Sequence, residues 1–230
     1  MGVIILSCAQ IPAISGKDGH TARNKWISIA AGKSHSIGIK SDGTLWARGG
    51  NKYGQLGDGT TMERDSPVPV RGDHNWISMA GGRYHSIALK SDGTLWAWGN
   101  NGYGQLGDGT TTVRHSPVQI GMDNKWSSIS AGYFHTIALK SSGTLWAWGG
   151  NEVGQLGDGT STETHSPVQT DIENNWTKVV AGYFHTIALK SNGTLWTWGL
   201  NEYGQLGDGT TIGKYFSTQI DPIALSKNLP

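Results

Sequence analysis

Histidines and aspartates recur in this sequence at a spacing that invites a chemical reading. His35, His85, His135 and His185 stand 50 residues apart. A ring of imidazoles around an axis would make a zinc site. Zinc ligands, however, come in close clusters with carboxylates or cysteines, and no such spacing accompanies these four. We read each as opening a strand and hydrogen-bonding backbone in its own or the next repeat. Asp58, Asp108, Asp158 and Asp208 each lie in a Gly-Asp-Gly-Thr run. A calcium loop needs several oxygens at alternating positions, whereas one Asp between two Gly is ordinary turn chemistry. The same glycine-rich run lacks the helix start and the Lys-Ser/Thr of a phosphate cradle. Cys8, the one cysteine, has no histidine nearby, and His74, His115 and His165 fall at loop tips. With no nucleophile constellation, we expect no enzyme, no cofactor and no metal.

The elements that position these residues follow from the 50-residue period. Trp26, Trp76, Trp126 and Trp176 obey it, as do Trp46, Trp96, Trp146 and Trp196. Residues 76–125 match 126–175 at 31 of 50 positions, and AGYFHTIALKS stands unchanged at 131–141 and 181–191. Each unit reads as four short strands. Strand A is WSSIS and its equivalents, ending at Ala131-Gly132; strand B is His135 to Lys140. Asp42-Gly43 and Asp92-Gly93 predict a tight hairpin from B to C, because Gly tolerates the positive φ required. Strand C is TLWAWG, in which Trp96 and Trp98, two apart, share one face. A long loop leads to strand D, SPVQI at 116–120, whose Pro117 suits an edge.

Tandem four-stranded units of this length predict an all-β fold, a β-propeller whose repeats are blades. The blades are expected at 26–75, 76–125, 126–175 and 176–220, after an N-terminal extension (1–25) and before a tail (221–230). IPAIS at 11–15 resembles a degenerate strand D. A lone blade cannot bury its tryptophans, so neighbours must stack. Four units predict an incomplete or open propeller, with self-association as one way to complete it.

Composition sets the outer bounds. Gly supplies 35 of 230 residues and Trp 11, while only 15% are charged. Helical bundles and disordered tails have other compositions. Eighteen Lys and Arg against 17 Asp and Glu leave +1 with no basic run, so we expect no nucleic-acid partner. The longest aliphatic run, Val3–Leu6, is far short of the ~20 residues of a membrane-spanning helix. As written, the sequence predicts a cytoplasmic protein. Ile5-Leu6-Ser7-Cys8 nevertheless resembles the end of a lipoprotein signal, which would imply export.

AGYFHTIALKSNGTLWTWG (181–199), NEYGQLGDGT (201–210) and the Pro of SPV together resemble the regulator of chromosome condensation repeat family over about residues 26–220. The resemblance implies a propeller that is seven-bladed in other members, with four repeats here.

The sharpest functional signal is the A–B turn, between the shared Gly and His. It holds Lys33-Ser34, Arg83-Tyr84, Tyr133-Phe134 and Tyr183-Phe184 in the four repeats. Strands running up and down put this turn and the C–D loop on one face, and the B–C hairpin and blade linkers on the other. Exposed aromatics with Arg are the material of interface hot spots. Relatives in the family use this turn for partner contact, which singles out Arg83, Tyr84, Tyr133, Phe134, Tyr183 and Phe184 as candidate partner-binding residues. The alternative is that these rings pack on neighbouring loops. The leading expectation is a non-enzymatic protein-interaction scaffold with a protein partner. A guanine-nucleotide exchange factor for a small GTPase and a glycan-binding module are the alternatives. Family members that exchange nucleotide carry an inserted wedge and a basic tail, neither of which is seen here. Light-sensing members carry a Trp in this turn where Tyr, Arg or Lys stands here.

Overall fold

The computed structural model describes residues 25–72 and 74–220. The first blade holds β1 (Trp26–Ala31), β2 (His35–Lys40), β3 (Leu45–Gly49) and β4 (Arg64–Pro69). The second holds β5 (Trp76–Gly81), β6 (His85–Lys90), β7 (Leu95–Gly99) and β8 (Arg114–Gln119). The third holds β9 (Trp126–Ala131), β10 (His135–Lys140), β11 (Leu145–Gly149) and β12 (Thr164–Gln169). The fourth holds β13 (Trp176–Ala181), β14 (His185–Lys190), β15 (Leu195–Gly199) and β16 (Lys214–Gln219). Each set forms one antiparallel sheet whose spatial order is its chain order. The expected strand at 11–15, Cys8 and the tail lie outside the described residues.

Local chemistry sets the strand limits. The B–C hairpins turn through Gly43, Gly93, Gly143 and Gly193, all at φ between 77° and 82°. Thr94 does not begin strand C as expected. Its N–H and hydroxyl both donate to the Asp92 carboxylate, which keeps it in the turn. The last strand of each blade starts two residues earlier than SPV predicts. Its first residue pairs across a register shift, Gly99 with Arg114, which draws residues ahead of the proline into the ladder. Pro117 lies in β8 at the sheet edge, as expected.

The core lies between blades. Ile37, Ile39, Leu45 and Leu56 of the first blade cluster with Trp76 and Trp98 of the second, and the same pattern recurs twice. The indole face of the second, third and fourth blades therefore lies against the preceding blade. Trp76 meets Trp96 and Trp98 edge-on at 6.2 Å. The ammonium of Lys90 sits over Trp76 and Trp96, 5.0 and 4.3 Å from the ring centroids, an attraction that desolvation strengthens. Lys40, Lys140 and Lys190 repeat the arrangement.

A polar seat completes each joint. The indole N–H of Trp98 donates to the main-chain oxygen of Gln55 at 2.9 Å, and Trp148 and Trp198 reach Gln105 and Gln155 likewise. The ring can come so close only because Gly57, Gly107 and Gly157 lie beneath it. A buried asparagine holds the loop in place. Asn51 accepts from Leu56 N–H and donates to Asp58, Thr60 and Met62 oxygens, and Asn101, Asn151 and Asn201 do the same.

Among the described residues, the arc is open at both outer faces. Trp26 is 47% exposed against 2% for Trp76, and Leu195 is 42% exposed against 1% for Leu145. The inner strands of all four blades border a central cleft of about 1100 Å³.

Gly107 and Gly121 both have positive φ, 81° and 64°, but their surroundings differ. A Cβ on Gly107 would stand 2.6 Å from the Trp148 ring nitrogen, whereas on Gly121 it meets only the Asp123 nitrogen at 4.0 Å. Gly107→Ala is expected to cost about 3 kcal/mol or more in urea unfolding, combining overpacking with backbone strain. Gly121→Ala should cost about 1 kcal/mol.

Candidate functional site

The recurrent histidines are built into the joints. His35 Nε2 lies 2.9 Å from the Ser86 hydroxyl of the following blade; His85 pairs with Thr136 and His135 with Thr186. The expected backbone partner is thus replaced by a neighbour's hydroxyl. That hydroxyl spends its own hydrogen on a main-chain oxygen, Ser86 on Gln55 at 2.8 Å, so Nε2 carries the imidazole hydrogen. Nδ1 of His35, His85 and His135 is buried without a hydrogen-bond partner. Burial, with added repulsion from neighbouring imidazoles for His85 and His135, lowers their pKa values to about 4, 3 and 3 respectively. His185, less enclosed, is lowered by burial too.

The aspartates of the long loops serve turns. Asp58 Oδ1 accepts the N–H and hydroxyl of Thr60 at 2.9 and 2.7 Å, and Oδ2 accepts Arg64 Nε at 2.9 Å. Burial pushes the Asp58 pKa up, but these hydrogen bonds outweigh it and hold the carboxyl below its usual range.

The A–B turns bring the candidate residues together on one face. The Tyr133 and Tyr183 ring centroids are 3.6 Å apart. Tyr133 also meets Phe134 at 4.5 Å and Phe184 at 5.4 Å. The Arg83 guanidinium lies 3.9 Å from the Tyr133 centroid and 4.7 Å from that of Tyr84. Lys33 donates to the Tyr84 hydroxyl at 3.4 Å, and that bond, ahead of a smaller contribution from Arg83, lowers the phenol's pKa. The result is one continuous strip across all four blades. Tyr133 is buried within it at 8% exposure, raising its phenol pKa, while Tyr183 is 52% exposed. Packing and exposure coexist: Tyr133 supports the strip, and Tyr183 presents it to solvent.

Two members of the strip were not foreseen. Tyr53 and Tyr103, in the C–D loops, meet Tyr84 and Phe134 of the following blade at 5.1 and 4.4 Å. These contacts place turn and loop on the same face. The available signal was the aromatic residue two positions before Gln in the repeated Tyr-Gly-Gln-Leu-Gly.

Two profiles described as "Regulator of chromosome condensation (RCC1) repeat" match the chain, one at residues 42–89, 92–139, 142–189 and 192–226, the other at 26–55, 76–105, 126–155 and 176–205. The chain belongs to the regulator of chromosome condensation repeat family. Among curated proteins, the ultraviolet-B receptor UVR8 of Arabidopsis thaliana is 45% identical over 49 residues, 21% of this chain and 11% of the receptor. Human WBSCR16 superposes with a TM-score of 0.78 at 26% identity, covering 90% of this chain and 55% of the other. Prp20p of Saccharomyces cerevisiae gives a TM-score of 0.79 at 23% identity, covering 93% and 53%. The chain therefore spans about half the length of these solved relatives.

The histidine geometry fixes a pH response. Each buried imidazole has a folded pKa below its unfolded value of 6.5, so unfolding takes up a proton. Its contribution is complete above pH 6.5 and is lost as pH falls toward 4, at roughly 1.4 kcal/mol per pH unit for each histidine. Thermal unfolding from pH 7.5 to 4 should show Tm falling below pH 6.5. His135→Gln should flatten that fall by between about a quarter and a third.

Proposed function

We propose that this chain is a non-enzymatic scaffold that binds a protein through the aromatic strip on its A–B face. The observation that carries this reading is the partly exposed run Tyr84–Arg83–Tyr133–Tyr183–Phe184, held on rigid turns by ring-to-ring and cation–ring contacts. Large rings that are already ordered lose little entropy on binding, and Tyr with Arg dominates the energetics of such surfaces. The relatives support a protein partner: Prp20p is described with its binding to Gsp1p and histones, and with Kap60 bound.

The charges on this face suggest how a partner would lie. Lys33 and Arg83 stand beside Tyr84, and Lys52 reaches over Tyr53. Glu152 and Glu202 take the Lys52 position in the third and fourth blades. A partner with carboxylates toward the first two blades and cations toward the last two would be steered into register.

The likeness to Prp20p also favours a second reading, regulation of a small GTPase. Stimulated nucleotide release from a GTPase, abolished by Arg83→Ala, would support it and displace the plain scaffold. A glycan role would instead show as oligosaccharide-induced quenching lost in Tyr183→Ala.

The decisive experiment compares affinity for a captured protein partner across variants. Tyr183→Ala, Phe184→Ala and Arg83→Ala should each weaken binding by about 2 kcal/mol, near thirtyfold. Met122→Ala and Ile172→Ala, in linkers on the opposite face, should leave it unchanged. Binding indifferent to the three turn substitutions would overturn the assignment.

A further inference from the structure

The joint between blades is made three times in the described residues, and its two halves stand open on the outermost blades. In each closed joint, a Gln main-chain oxygen accepts the indole N–H and a hydroxyl of the following blade. Gln155, for example, accepts from Trp198 at 3.0 Å and Thr186 at 2.9 Å. The fourth blade carries the receiving half. Gly157 has the Trp198 ring 2.6 Å from its Cβ position, whereas Gly207 has nothing within 4 Å. Leu195 is exposed where Leu45, Leu95 and Leu145 are buried.

The first blade carries the inserting half. Trp26 is half-exposed, and Ile29 is 70% exposed where the equivalent Met79 is at 8%. Ser36 is exposed where Ser86, Thr136 and Thr186 are fully buried. Arg48 takes the place of Trp98, Trp148 and Trp198, and its guanidinium still supplies N–H donors.

We infer that these halves close on each other between two copies of this chain. The first blade of one copy seats on the fourth blade of the other, and reciprocally, in a two-fold ring of eight blades. The partner's identity rests on the match of halves: the surface that fits each open face is the one this sequence already places there three times. Ser36 and Arg48 of one copy would donate to the Gln205 carbonyl of the other, and Ser36 would accept from His185. Each closed joint buries a cluster of ten residues spanning two blades, and the ring would close two such joints. Eight blades is within the usual range for propellers. The inference is independent of the aromatic strip, which lies on another face and is left uncovered.

The test is the mass of the 230-residue chain by sedimentation equilibrium over a hundredfold dilution. The expected mass is twice 24.6 kDa. A single-copy mass throughout would overturn the inference, including the case in which residues outside the described span cover the faces. Assemblies longer than two would overturn the closed ring. Ile29→Glu and Leu195→Glu should each give single copies with unchanged circular dichroism. Mixed together they should recover pairs, because one joint then has both native faces; a pair that survives either substitution alone overturns the head-to-tail arrangement. Arg48→Trp supplies the indole used at the other joints and should lower the dissociation constant tenfold or more. Should both glutamate variants unfold, Arg48→Trp decides, since an unchanged constant would show that position 48 does not enter the seat.

Discussion

One main-chain carbonyl per blade, that of Gln55, Gln105 or Gln155, receives both an indole N–H and a hydroxyl from the following blade. An unsatisfied carbonyl or indole N–H in this apolar setting would cost free energy comparable to a lost hydrogen bond. The seat therefore sets the register between sheets that hydrophobic burial alone would leave free to slide. The buried asparagine beneath each loop keeps the carbonyl aimed outward, with acceptor and donors all engaged. A network satisfied in this way rigidifies its surroundings.

The same glutamine connects the joint to the exposed face. While its main-chain oxygen receives Trp98, the Gln55 side-chain oxygen accepts the N–H of Tyr53 at 2.9 Å. Tyr53 in turn meets the Tyr84 ring. A shift of the seat would move the aromatic strip with it, so the strip is as rigid as the packing beneath it. Such coupling suits recognition by a preorganised surface.

Much of this was legible in the sequence because the repeat multiplies every local signal. The Asp-Gly hairpins, the strand beginning at His and the shared face of Trp96 and Trp98 are short-range features, and the structure shows all three. The partner of each histidine was not legible. It lies one period and one residue away, Ser86 for His35, and only the offset between stacked sheets selects a side-chain hydroxyl over backbone. Tyr53 and Tyr103 escaped for a related reason, since in sequence they look like turn residues and become part of the strip only when the next blade arrives. The start of the last strand was misplaced because a register shift beside Gly99 is a property of two paired strands. For the candidate site, the residue types were readable, whereas the division between the supporting Tyr133 and the presented Tyr183 came only from packing.

From the second blade on, each brings both an indole plug and a carbonyl socket, while the first has Arg48 in place of the plug, so the repeat carries a connector of fixed pattern. Gaining or losing fifty residues in frame would leave every surviving connection with the same geometry. Length is thereby decoupled from local stability: variants with more or fewer units could arise without a single compensating substitution in the interior. The middle repeats, alike at 31 of 50 positions, show how such a module is copied.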